Sequence, residues 1–179
     1  MKGFVRKNLL LSLCGLNCGL CTMHLGGYCP GCGGGEGNQT CKIARCSLEH
    51  GSPAYCGGCD RYPCEKYQGY DEFDSFITHR RRDADLKLIR EIGEEAYCDQ
   101  QREKIQILTF LLDGFNDGRR KSFFAAAVNL LELPELREAV RQLSDTEQLP
   151  LKERAARAAQ LLHEAAERQG VELKLRKKK

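Results

Sequence analysis

Cysteine is crowded near the start of this chain, and that crowding limits what the chain can fold into. Ten of its eleven cysteines lie between Cys14 and Cys64, and only Cys98 lies beyond. The same stretch holds twelve glycines and few large apolar side chains: Leu16, Leu20, Met23, Leu25, Ile43 and Leu48. Ordering a backbone costs about 1–2 kcal/mol per residue, and glycine raises that cost. So small an apolar set offsets little of it. The segment therefore stays disordered or is crosslinked, by disulfides or by metal–thiolate bonds. The N-terminus points to metal. Lys2, Arg6 and Lys7 precede only Leu9-Leu10-Leu11-Ser12-Leu13, shorter than the about 7–15 apolar residues of a secretory signal. No stretch reaches the roughly 20 apolar residues of a membrane helix. The expectation is a cytoplasmic, reduced protein away from the membrane, its N-terminal part held by ions that each supply on the order of 10 kcal/mol.

Three CxxC pairs stand out: Cys18/Cys21, Cys29/Cys32 and Cys56/Cys59. Two intervening residues let both thiolates reach one ion from a tight turn. Four residues separate Cys41 from Cys46, and four separate Cys59 from Cys64, gaps that suit ligand pairs at a loop-to-helix edge. The candidate ligands are Cys14, Cys18, Cys21, Cys29, Cys32, Cys41, Cys46, Cys56, Cys59 and Cys64. Two tetrahedral sites use eight of these ten and leave two over; a third site would need His24 and His50 as well. Both histidines read first as exposed loop residues, although Cys21-x-x-His24 repeats the CxxC spacing. Pairing between the CxxC turns stays open, as sequential or interleaved. Cys98 reads as a buried apolar residue. Zinc is the expected ion and an iron–sulfur cluster the alternative, because four thiolates do not by themselves separate the two. Cys14-x3-Cys18-x2-Cys21 has the spacing of radical S-adenosylmethionine enzymes, but their strand-rich barrel is not predicted here. The α/β context of a thiol redox CxxC is missing too. The net charge of +3 counts neutral thiols, and two four-thiolate zinc sites would bring it to −1. Bulk charge therefore gives no argument for nucleic acid.

Beyond residue 70 the apolar period is helical. One helix starts near Asp83 and ends near Gly93; a second runs from Glu95 to Asp113 with Gly114 as its stop. A third, from Arg119 to Leu133, is apolar nearly all round and so reads as the central buried helix. Leu136, Val140 and Leu143 mark a short fourth after Pro134, and Leu151 to Gln169 form an alanine-rich last one. Short hairpins are expected around the CxxC pairs, and the basic tail is expected to fray. The predicted fold is mainly α with a small irregular zinc-knuckle region: an N-terminal cysteine-rich segment packed on a C-terminal bundle of four or five helices. Its regions are residues 1–68 (cysteine-rich), 69–170 (helical) and 171–179 (basic tail).

Several motifs together resemble the domain-of-unknown-function 3795 family of bacterial and archaeal proteins. These are Cys14-Gly15-Leu16-Asn17-Cys18-x-x-Cys21, Cys29-x-Gly31-Cys32, Cys41-Lys42-Ile43-Ala44-Arg45-Cys46 and Cys56-Gly57-Gly58-Cys59-x-x-Tyr62-Pro63-Cys64, with Asn116 to Phe124 further on. The resemblance implies a small metal-binding protein with no established reaction. It also implies a cysteine where Asn38 stands and an aspartate where Asn17 stands. Two other segments are candidates for contacts. Asn116-Asp117-Gly118-Arg119-Arg120-Lys121-Ser122 reads as a solvated helix start capped by Asp117, or as an anion site. His79-Arg80-Arg81-Arg82 reads as a solvated charge run, or as a nucleic-acid contact. No catalytic triad, P-loop or dinucleotide fingerprint is present, so no catalytic residue is predicted. The expected role is a structural zinc-binding interaction module for a protein partner, with nucleic acid as a weaker option. The alternative is an iron–sulfur protein in electron transfer or redox sensing.

Overall fold

A single helix of 21 residues organises the molecule. In the computed structural model, which describes residues 2–35, 41–146 and 148–178, α4 spans Glu94–Gly114, about 30 Å at 1.5 Å per residue. It packs against α3 (Arg82–Ile92), α5 (Lys121–Leu130), α6 (Leu133–Leu143) and α7 (Leu151–Gln169). Together these five helices make the expected bundle. Two further helices, α1 (Thr22–Leu25) and α2 (Lys42–Glu49), belong to the cysteine-rich part. No strand occurs among the described residues, so the expected hairpins are absent. Helical turns stand at two of the three CxxC pairs instead. No helix among these residues is long and apolar enough to cross a membrane.

Local sequence accounts for the breaks between helices. Gly93, at φ +84°, separates α3 from α4, a backbone angle that glycine adopts without strain. Glu94 and Glu95 follow in the first turn of α4, where the helix dipole favours acids. α5 is buried at seven consecutive positions from Phe124 to Leu130, as its apolar pattern predicts. It stops earlier than predicted: Leu131 and Glu132 are extended, and α6 starts with Pro134 near its N-terminus, the position proline tolerates in a helix. α7 ends at Gly170 in the left-handed region, with Val171 N–H donating to the Ala166 carbonyl, a Schellman-type stop.

The main core joins Leu108, Leu111 and Phe115 of α4 and its end to Phe124, Val128, Leu136, Leu143, Ala158 and Leu162. Leu20, from the cysteine-rich part, is buried in this same core. A second cluster contains Phe4, Leu13, Cys14, Ile43, Ala44 and Tyr67. A third contains Leu11, Leu86, Ile89, Tyr97 and Cys98, so Cys98 is the buried residue it was expected to be.

The tail is anchored rather than frayed over its described residues. Leu173 is buried. Arg176 donates to Asp74 from its backbone (2.8 Å) and its guanidinium (2.9 Å). Arg80 donates 2.7 Å bonds to the carbonyls of Glu172 and Lys174. Asn38, and Glu36 and Gly37 of the glycine-rich loop, lie outside the described residues.

Candidate metal centre

Two of the CxxC pairs take the same shape. Cys18–Leu20 and Cys56–Gly58 are single 3₁₀ turns, closed by Cys21 N–H to the Cys18 carbonyl (3.0 Å) and Cys59 N–H to the Cys56 carbonyl (2.9 Å). Each turn brings its two cysteines to either end of one tight backbone loop, the spacing that ligand pairs use. The first turn lies close on α4: a Cβ on Gly19 would stand 2.9 Å from Ile105 Cδ1. No disulfide joins any of the eleven cysteines, all of which are described.

The cysteines fall into two neighbourhoods. In the first, the Cys32 backbone N–H faces the Cys18 sulfur, and Cys14 and Cys21 are near enough to act on its charge. Burial, then Cys32, pushes the Cys18 thiol up to about 12. The Cys32 thiol is pushed up by burial too, partly offset by the Leu13 N–H at 3.5 Å. In the second place, Cys46, Cys56, Cys59 and Cys64 line a cavity of about 30 Å³ together with Tyr67 and His50. Burial pushes Cys56 up to about 11. Buried thiols of this kind ionise when a cation shares the site. Cys14 lies between the two groups and influences Cys18 and Cys56 alike. Its sulfur is 3.1 Å from Ser12 Oγ and 3.4 Å from the Tyr70 hydroxyl. Cys41 lies within reach of Cys32 and Tyr70. Among the described residues, no three histidine, cysteine or acidic side chains already stand as a coordination group.

The histidines separate. His50 Nδ1 faces the Cys46 carbonyl at 2.8 Å, so that nitrogen carries the proton and donates. Its Nε2 then accepts from Arg61 Nη1 at 3.4 Å. His24 Nδ1 likewise donates to the Cys29 carbonyl at 2.8 Å.

Behind the sulfurs stands a group of residues the sequence reading did not assign. Tyr62, Tyr67 and Tyr70 meet edge to face around the Arg82 guanidinium, which lies 4.4 Å from the Tyr67 ring centre. Arg82 donates two bonds to Asp71 (2.9 and 2.5 Å) and one to the Tyr62 hydroxyl (2.7 Å). Three tyrosines within nine residues, flanking Cys64, are the one signal in the sequence. The Tyr67 hydroxyl lies beside the Cys56 sulfur but has no hydrogen-bond partner in good geometry, although the residue is 9 % exposed.

Asn17, in the first cysteine motif, ties this part to the bundle. Its Nδ2 donates to Asp85 Oδ2 at 2.6 Å, and its Oδ1 accepts from the Tyr97 hydroxyl at 2.7 Å. All three residues are buried. Arg81 stands 3.6 Å from Asp85 and also pairs with Glu132. Buried Lys104 donates to the Leu131 carbonyl at 2.8 Å.

The two charged segments resolve differently. His79-Arg80-Arg81-Arg82 is not a solvated run: His79 and Arg82 are buried, and each of the three arginines has fixed acceptors. At residues 116–122, Asn116, Asp117 and Arg120 pair within the loop, while Arg119, Lys121 and Ser122 are exposed. Asn116 Oδ1 accepts from the N–H of Gly118 (3.2 Å) and of Arg120 (3.3 Å), and Arg120 pairs with Asp117. Asp117 holds the loop through the Arg119 N–H at 3.2 Å rather than capping α5, whose N-cap is Arg120. Compared with models of protein families, with curated proteins and with solved structures, the chain matches none.

Proposed function

We propose that this chain is a cysteine-thiolate metal-binding protein whose ions are zinc and structural, and that its cysteine-rich part serves as a docking module for a protein partner. The observation that carries this reading is the cavity walled by Cys46, Cys56, Cys59 and Cys64. At about 30 Å³ it offers roughly the room of one water, the scale of a single ion. The donor set is sulfur, which suits zinc. The unsatisfied Tyr67 hydroxyl beside Cys56 fits the arrangement, since a thiolate accepts the hydrogen bond such a hydroxyl offers. Exposed Tyr28 and Leu25, next to the Cys29/Cys32 pair in sequence, support the docking role. The unbridged thiols accord with a reducing, cytoplasmic setting. We also propose membership of the domain-of-unknown-function 3795 family, on the cysteine run alone.

A second reading applies to the other gathering. Cys14, Cys21 and Cys32 are each near enough to act on the Cys18 thiol, and four thiolates at one place suit an iron–sulfur cluster as well as zinc. Elemental analysis of freshly purified protein tests both readings. Colourless protein with stoichiometric zinc is expected. A brown protein carrying iron and sulfide replaces zinc with the cluster. Metal-free protein that keeps residues 14–64 ordered with every thiol titratable overturns both.

A further inference from the structure

The cysteines are divided in space in a way their spacing leaves undecided. Resting on the thiolate reading above, we infer that Cys46, Cys56, Cys59 and Cys64 form one closed four-sulfur centre for a single divalent ion, with the Tyr67 hydroxyl donating to the Cys56 sulfur, and that the Cys18 and Cys32 sulfurs belong to a separate centre. The third CxxC turn thus pairs with its sequence neighbours on both sides, and the arrangement is sequential rather than interleaved.

Four observations meet here. First, these four cysteines are among the residues that line the cavity, and none of Cys14, Cys18, Cys21, Cys29, Cys32 or Cys41 is. Each sulfur comes from a defined piece of backbone. Cys46 lies in α2, Cys56 and Cys59 bracket a 3₁₀ turn, and Cys64 directly precedes the 3₁₀ turn Glu65–Tyr67. That last turn delivers Tyr67 to the same cavity through a Tyr67 N–H to Cys64 carbonyl bond of 2.9 Å. Second, the Tyr67 hydroxyl is buried and has no partner in good geometry. Buried donors are nearly always paired, and a thiolate at Cys56 supplies the acceptor. Third, His50 lines the cavity but both its ring nitrogens are engaged, by the Cys46 carbonyl and by Arg61. The four cysteines would then fill a tetrahedral site without His50, as in a closed structural centre. Fourth, Lys66 lines the cavity and Arg61 stands beyond His50. Cations there complement the −2 charge of a divalent ion held by four thiolates. On binding, four thiols release four protons to solvent and no electrons move.

The test uses the full chain, zinc counted by native mass spectrometry and elemental analysis, and zinc affinity from chelator competition. Cys46→Ser/Cys64→Ser is expected to carry one zinc fewer than wild type while retaining the rest, and Cys98→Ser to carry the full number. Tyr67→Phe is expected to keep every ion but to release one of them with about 10–100-fold weaker affinity, the usual effect of losing an outer hydrogen bond to a ligand. A serine double variant with the wild-type number of zinc ions overturns the assignment. Where that variant does not fold, Tyr67→Phe decides, and zinc affinity equal to wild type overturns it. Wild type that binds no metal at all fails the broader reading instead, so the two failures are distinguishable.

Discussion

Replacing Asp85 by asparagine keeps the size of the side chain and its acceptor for the Asn17 amide, and removes a charge at 1 % exposure. Burial is the main cause that pushes this carboxyl up from 3.8 to about 6; Arg81, Lys104 and Asn17 pull the other way without overcoming it. A carboxyl whose folded pKa lies above its unfolded value holds its proton more tightly in the folded chain. Its contribution to stability is fully present below the unfolded pKa and is lost as pH rises through the folded one. The gap of roughly two pH units is worth about 3 kcal/mol. Asparagine mimics the protonated form at every pH. Asp85→Asn should therefore match wild type below about pH 3 and exceed it by about 3 kcal/mol at pH 7. Between these limits the difference should grow by at most about 1.4 kcal/mol per pH unit. Burial lowers the Lys104 ammonium only to about 8, so it stays largely protonated over this range. The assay is urea unfolding of both proteins, equally metal-loaded, at matched pH, so that any acid loss of metal common to both cancels. A difference that does not change with pH, or a wild type that gains on the variant as pH rises, would refute the reasoning. Either would mean that Arg81 and Lys104 hold the carboxylate ionised against burial.

Other perturbations test separate parts of the structure. Gly15→Ala puts a Cβ 2.6 Å from the Arg82 carbonyl at φ +94°; a loss of about 3 kcal/mol is expected from backbone strain and overpacking, read as a fall in the urea midpoint. Tyr97→Phe leaves Asn17 Oδ1 buried without its donor and should cost about 1–3 kcal/mol in the same measurement, with Asn17→Ala and the double variant closing a cycle that is strongly non-additive. Asp74→Ala removes the acceptor of both Arg176 bonds; trypsin should then cut the tail after Lys174 and Arg176 well before the helices, whereas wild type resists. Chelation of the loaded protein should raise the number of rapidly titrating thiols while α4 and α7 keep most of their helical signal.

Helices were legible where their period and their stops agree. The alanine-rich pattern places α7 at Leu151–Gln169, the bounds observed, and Gly93 separates α3 from α4 as predicted. α5 is shorter than its apolar run because Pro134 serves the start of α6, which leaves Leu131 and Glu132 extended. α2 was not assigned: among glycine-rich neighbours its eight residues offer only Ile43, Ala44 and Ser47 as a buried face. The charge run at His79–Arg82 misleads for a different reason. Its acceptors come from Asp71, the Glu172 and Lys174 carbonyls, and Asp85 and Glu132, and nothing local in the sequence announces them. The same holds for Asn17, whose two partners lie 68 and 80 residues away. Spacing marks the cysteines as candidates together; only tertiary packing brings Cys46, Cys56, Cys59 and Cys64 to one cavity that Cys18 and Cys32 do not line.

That separation bears on how the two parts of the protein depend on each other. Cys18 opens a turn in which three neighbouring residues face three different environments. Asn17 enters the buried polar group with Asp85 and Tyr97, Cys18 faces the sulfur gathering, and Leu20 enters the main core beside Leu108 and Phe124. Gly19 between them lets the turn lie against Ile105 of α4. A ligand that binds only the folded arrangement stabilises everything that unfolds with it. An ion held through Cys18 therefore stabilises the Asn17 contacts and the seat of Leu20 as well as the loops around it. The proposed centre at Cys46, Cys56, Cys59 and Cys64 would reach the bundle by another route, through Tyr67 and Arg82 into the first turn of α3. Loss of metal at one centre should thus loosen α4 contacts, and loss at the other α3 contacts. The distinction is visible in hydrogen exchange even where the global unfolding free energy changes by the same amount.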